Sequence, residues 1–150
     1  MTPAVVLLSS LAVAGCLDGS AGQTEPGAGL QAASNIKAQV IYVDPQGAYG
    51  LIQAESPPVI LDVRTAAELS SGIIDGAVHR DFRSGDFAAS LAGLPPDRPI
   101  LVTCASGGRS SRSLAVLQRA GFTNLLHLDG GMRAWAAAGL PVAKPGSDFQ

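Results

Sequence analysis

The chain has 150 residues, 47% hydrophobic and 15% charged, which suits one packed α/β domain and is too short for two. Its formal net charge of −2, with no Lys or Arg run, excludes the electrostatic footprint of a nucleic-acid binder. Cys16, Cys104, His79 and His127 are the only residues of their types and none pairs at short ligand spacing, so no metal and no cofactor are expected.

In chain order, Ala4 to Ala14 is an apolar run broken only by Ser9 and Ser10, shorter than the roughly 20 residues that span a bilayer. It closes on Val13-Ala14-Gly15-Cys16, and small residues before a Cys read as a processing site after a signal peptide over 1–15. The block Leu11 to Cys16 resembles the lipobox of bacterial lipoproteins, which implies acylation of Cys16. Residues 16–35 hold five Gly or Pro positions (Gly19, Gly22, Pro26, Gly27, Gly29) without apolar period and read as a flexible tether of about 25 Å r.m.s. reach. The expectation is a monomeric domain over 36–145, lipid-anchored to a membrane in the cell envelope and facing the periplasm or exterior. The tail from Ala143 reads as unstructured, with 146–150 outside the domain.

Val40–Val43 reads as a strand, followed by Asp44 as N-cap and Pro45 as N1 of a helix with Ala48, Leu51 and Ile52 on one face. Val59–Val63 is a continuous apolar run, suited to an interior parallel strand buried on both faces. Asp62 and Arg64 flank its end, and Thr65-Ala66-Ala67-Glu68 is a capping box opening a short helix. Asp62 could be a general base or a metal ligand, but pairing with a cation or capping donors beneath the next loop fits better. Asp62 and Arg64 are therefore read as structural support. Gly76–Val78 reads as a short strand and Phe87–Leu91 as a helix stopped before Pro95-Pro96. Arg80 and Arg83 read as solvated, with lining of a site mouth as the alternative.

The strand Ile100–Thr103 then enters Cys104-Ala105-Ser106-Gly107-Gly108-Arg109-Ser110, and a helix from Ser110 to Ala120 follows, ended by Gly121 as C′. If the loop curls around the cysteine, the N–H groups of Ala105 to Ser110 and the free first-turn donors of the helix converge on its sulfur. That is an anion cradle suited to a thiolate, with Arg109 as a nearby cation and an open sheet edge limiting desolvation. Gly107 and Gly108 fit the positive φ and tight space of such a curl. Leu125–Leu128 is the last clear strand, in which His127 reads as a satisfied strand histidine rather than a catalytic one. Met132, Trp135 and Leu140 form a stripe that docks on the sheet, with Gly139 as C-cap. Strands alternating with helices predict a three-layer α/β domain: a mainly parallel sheet of four or five strands, helices on both faces, and ligands at the strands' C-terminal edge.

Cys104-x4-Arg109-Ser110 after a strand resembles the active-site loop of the rhodanese-like sulfurtransferases. Val59 to Glu68 with Gly72 to Val78 resembles the family's upstream signature, and Gly130 to Pro141 its closing helix, so that three blocks in family order cover about 36–145. One departure is Ile73, which stands where the family usually has His. The resemblance implies Cys104 as the catalytic residue carrying a persulfide bound by Ala105, Ser106, Gly107, Gly108, Arg109 and Ser110. It implies a small sulfur-donor anion such as thiosulfate and a thiol or cyanide as acceptor. A phosphatase would need Cys-x5-Arg, whereas Ser110 occupies that place. A non-catalytic binding module of the same fold is the remaining alternative.

Overall fold

The computed structural model describes residues 38–146. In order they form β1 (Gln39–Val43), α1 (Pro45–Ile52), β2 (Val59–Asp62), α2 (Ala66–Leu69), β3 (Val78–His79), α3 (Phe87–Ser90), β4 (Ile100–Thr103), α4 (Gly108–Arg119), β5 (Asn124–Leu128) and α5 (Gly131–Ala137). Cys16 and the segments read as signal peptide and tether lie outside the described residues, as do 147–150.

The apolar runs become interior strands because both of their faces are covered. Every residue of β4 is buried, and its neighbours alternate between two cores. Leu61, Ile100 and Val102 pack with Phe87, Leu91, Leu114 and Leu117, so α3 and α4 cover one face. Ile60 and Leu101 pack with Ala48, Met132 and Trp135, so α1 and α5 cover the other. Each fully buried side chain of this size contributes about 1.5–3 kcal/mol. The sheet has five strands in the order β1-β5-β4-β2-β3, every neighbouring pair parallel. The three-layer α/β architecture is the one expected, with the sheet wholly rather than mainly parallel.

Local signals set most element ends. Asp44 caps α1 by accepting from Gly47 N at 2.7 Å, with Pro45 in the first turn. Of the face expected on α1, Ala48 is buried and Ile52 half-buried, while Leu51 is 39% exposed. Helix α5 ends at Ala138 as C-cap, which puts Gly139, φ +69°, one position later than expected, at C′. The chain beyond Pro141 is also more ordered than its sequence suggests. Ile73 N donates to Ala143 O at 2.9 Å and Ala143 N to Ile73 O at 2.8 Å, an isolated antiparallel bridge. Main-chain pairing of this kind leaves no side-chain period to read, hence the correction at Ala143.

This topology fixes where a site can form. From β2 the chain moves outward to β3, and from β4 it moves the opposite way to β5. The connections therefore part above the β2/β4 pair, where Asp62 and Thr103 lie in register at the C-terminal edge. A crevice opens at such a switch point. The loop that begins at Cys104 sits there.

Candidate active site

The curl after β4 is produced by where its carbonyls go. Met132 N donates to Cys104 O at 2.8 Å and Arg133 N to Ala105 O at 3.0 Å, so the otherwise free first-turn donors of α5 hold the outer side of the loop. With those carbonyls turned toward α5, the following N–H groups turn inward. Gly107 N donates to Cys104 Sγ at 3.2 Å, and the Ser110 hydroxyl donates to the same sulfur at 3.4 Å. Gly107 has φ +93°, the left-handed conformation the curl needs. Gly108 does not share it: this residue is already the first of α4, which therefore starts two residues before the expected Ser110. The close approach lies instead at Gly131, where a Cβ would stand 2.4 Å from Cys104 O and 2.9 Å from Ser106 N.

Cys104 is only 1% exposed, so the expectation of an open thiol is corrected. Burial is accordingly the largest single influence on it and pushes its pKa up. Against burial act the Ser110 hydroxyl and the backbone amides of Ser110, Ser106 and Arg109, and together they prevail. The thiol titrates below its ordinary 9.0. The convergent donors outweigh desolvation, which is the condition for a reactive thiolate.

The Arg109 guanidinium is committed elsewhere than the sulfur. It grips Glu68 in a two-point ion pair, Nη1 to Oε2 at 2.6 Å and Nη2 to Oε1 at 2.5 Å. Glu68 also accepts from Thr65 N at 3.0 Å and from the Thr65 hydroxyl at 2.8 Å. Hydrogen bonding from Arg109 holds the Glu68 carboxyl well below the usual carboxylate range, against some burial and with help from Thr65. Glu68 in turn raises the Arg109 pKa, with burial opposing and smaller contributions from the charges of Cys104 and Asp81. The pair acts as a latch across the crevice, tying α2 to the start of α4. The capping box marks Glu68 in the sequence, but not its second partner 41 residues away.

Beneath the latch, Asp62 is fully buried and Arg64 2% exposed. Arg64 Nε donates to the two Asp62 oxygens at 3.0 and 2.9 Å and Nη2 donates to Oδ2 at 2.6 Å. The same guanidinium donates to Gly72 O at 2.8 Å, to Glu68 O at 3.1 Å and to Ser71 Oγ at 3.3 Å, fastening the α2 segment to the end of β2. Arg80 donates to Ser90 O at 2.5 Å and His79 O at 2.7 Å, so it holds main chain rather than facing solvent. Arg83 is exposed. His127 lies closer to the site than its strand context suggests, with Nε2 3.0 Å from Ser110 Oγ and 3.1 Å from Gly107 O. Beside the loop, Arg64, Glu68, Ala105, Met132 and Arg133 line a cavity of about 450 Å³, and the Ser106 side chain is exposed.

The family model of the Rhodanese-like domain matches residues 44–138. A sulfurtransferase of Allochromatium vinosum is 34% identical over 87 residues, 58% of this chain and 79% of its own. The thiosulfate sulfurtransferase GlpE of Actinobacillus succinogenes is 35% identical over 101 residues, 67% of this chain and 87% of its own. Among solved structures, a rhodanese-related protein from Thermoplasma volcanium superposes with TM-score 0.62 at 26% identity, covering 70% of this chain and 99% of that one.

Proposed function

The chain belongs to the rhodanese-like domain family and is a sulfurtransferase of rhodanese type; from that premise we propose that it works through a persulfide on Cys104. The observation that carries this reading is the sulfur of Cys104 held by Gly107 N and the Ser110 hydroxyl, with a lowered pKa despite burial. The thiolate attacks the outer sulfur of a donor such as thiosulfate; the S–S bond of the donor breaks, and sulfite leaves with the electron pair. The charge then rests on the outer sulfur of Cys104–S–S⁻. Attack by a thiolate or cyanide on that outer sulfur forms a new persulfide or thiocyanate and returns the Cys104 thiolate. Splitting the transfer in two is nucleophilic covalent catalysis, and the loop amides stabilise the anion before and after each step.

Incubation with thiosulfate tests the mechanism. The intact mass is expected to rise by about 32 Da, one sulfur atom, to fall back with a reducing thiol, and to stay unchanged in Cys104→Ser. An unmodified Cys104 under those conditions would favour a binding module instead.

The chain is further proposed to be lipid-anchored in the cell envelope through Cys16, on the strength of the small residues before it and the Gly-rich stretch after it. Cys16→Ser is expected to move the protein from the membrane to the soluble fraction. Identical fractionation of the two forms would refute the anchor.

A further inference from the structure

We propose that His127 is a positioning residue for the reacting thiol: its Nε2–H fills the second acceptor place on Gly107 O and so leaves the Ser110 hydroxyl free to donate to Cys104 Sγ. The inference rests on Cys104 being the reacting group, and its test reads the thiol without any sulfur donor.

Gly107 O has two lone pairs and three donors within reach: Ser111 N at 2.9 Å, Ser110 Oγ at 2.9 Å and His127 Nε2 at 3.1 Å. Ser111 N takes one place as the first backbone bond of α4. The Ser110 hydroxyl has a single proton and three acceptors to choose from, Gly107 O, Cys104 Sγ at 3.4 Å and His127 Nε2 at 3.0 Å. A carbonyl can only accept, so a bare Nε2 would set two buried acceptors 3.1 Å apart, and hydrogen on Nε2 is the arrangement that turns this contact into a bond. With the proton on Nε2, the carbonyl is saturated and the hydroxyl keeps the sulfur as its partner. Without it, Ser110 turns to Nε2 or Gly107 O, and the sulfur loses a donor.

No solvent stands ready to repair such a loss, because Ser110 is fully buried, His127 is 4% exposed and Cys104 1%. The ring itself is held from its other sides. Nδ1 faces a second acceptor, Asp129 Oδ1, but at the longer 3.4 Å and on a side chain 56% exposed, where water serves the carboxylate, so the closer buried carbonyl has the stronger claim on the ring proton. The Tyr42 ring centroid is 5.0 Å from that of the imidazole. His127 does not touch the sulfur; it acts through Ser110.

Three substitutions separate this role from packing. The side-chain amide of His127→Gln can place an N–H where Nε2 stands, that of His127→Asn is too short, and His127→Phe offers none. Thiolate ultraviolet absorbance and alkylation rate against pH, measured without sulfur donor, give the Cys104 titration midpoint. His127→Phe and His127→Asn are expected to move it upward and to slow alkylation on the acid limb about tenfold, the loss of one hydrogen bond to a charged group. His127→Gln is expected to stay near the parent profile. Ser110→Ala should produce the same upward movement, and adding His127→Phe to it should change nothing more. A parent-like profile for folded His127→Phe, an effect that adds to that of Ser110→Ala, or a Gln variant as impaired as the Asn variant would each overturn the proposal. Should the Phe variant fail to fold, the Gln and Asn pair decides. A thiol that responds as expected in a protein that takes up no sulfur would refute the transfer mechanism while supporting this one.

Discussion

Gly131→Ala is the sharpest test of how the loop is held. An added Cβ would stand 2.4 Å from Cys104 O, and restoring an ordinary 3.4 Å contact asks for a displacement of about 1 Å in one of two packed backbones. The residue also has φ +58°, which costs an L side chain about 1–2 kcal/mol. Moving the Cys104 carbonyl away stretches its 2.8 Å bond from Met132 N, and an unsatisfied buried group costs about 1–3 kcal/mol. The stability loss is therefore about 2–5 kcal/mol, and a displacement of 1 Å at the reacting sulfur slows transfer about 10²-fold. Urea unfolding followed by fluorescence of Trp135, the single tryptophan, reads the first quantity. Thiosulfate-to-cyanide turnover reads the second. Gly121→Ala is the control, because Gly121 has φ +96° but no atom within 4 Å of its Cβ position, so the control loses only the backbone term and keeps its turnover. Gly131→Ala with turnover within about twofold of the parent, and no greater stability loss than the control, would refute the reasoning.

Other substitutions test other parts of the site. Asp62→Asn leaves Arg64 buried with a weakened partner and should cost about 3–5 kcal/mol, read as a lower urea midpoint. Gly107→Val forces a β-branched residue to φ +93°; the Cβ itself would meet His127 Cε1 and Gly130 N at an ordinary 3.6 Å, so the expected loss of transfer comes from a reshaped curl rather than a clash. For Glu68 the pH dependence has a definite sign. Its folded pKa is depressed, so the stabilisation is present above the ordinary 4.5 and disappears as pH falls through the much lower folded value. Glu68→Gln should thus be less stable than the parent at neutral pH, and the gap between their thermal midpoints should close in strong acid. A gap independent of pH would place the effect in packing.

What could be read from the sequence, and what could not, divides by distance along the chain. The runs Val59 to Asp62 and Ile100 to Thr103 declare themselves because burial on both faces needs unbroken apolar sequence, and Asp44-Pro45 declares a helix start because capping is local. The strand, cysteine, glycine and helix of the candidate site are contiguous, so the curl was legible too. Glu68 on Arg109, His127 beside Ser110, Gly131 against Cys104 and Ala143 paired with Ile73 were not, since each joins distant segments through the tertiary fold. One local expectation also failed for a global reason: a loop cysteine at a sheet edge reads as open until the fold buries it. Arg109 still feels the charge of the Cys104 sulfur, but its guanidinium is gripped by a carboxylate from another element that no local signal announces.

The cradle around Cys104 uses main-chain N–H groups and one inward hydroxyl, while the side chains of Ala105 and Ser106 play no part in holding the sulfur. Holding the sulfur and shaping the surface around it thereby fall to different parts of the same residues. Changes of side chain at Ala105, which lines the cavity beside the loop, and at the exposed Ser106 can recut that surface while the backbone that holds the sulfur stays as it is, so the surroundings of the thiol can drift without its cradle having to be rebuilt.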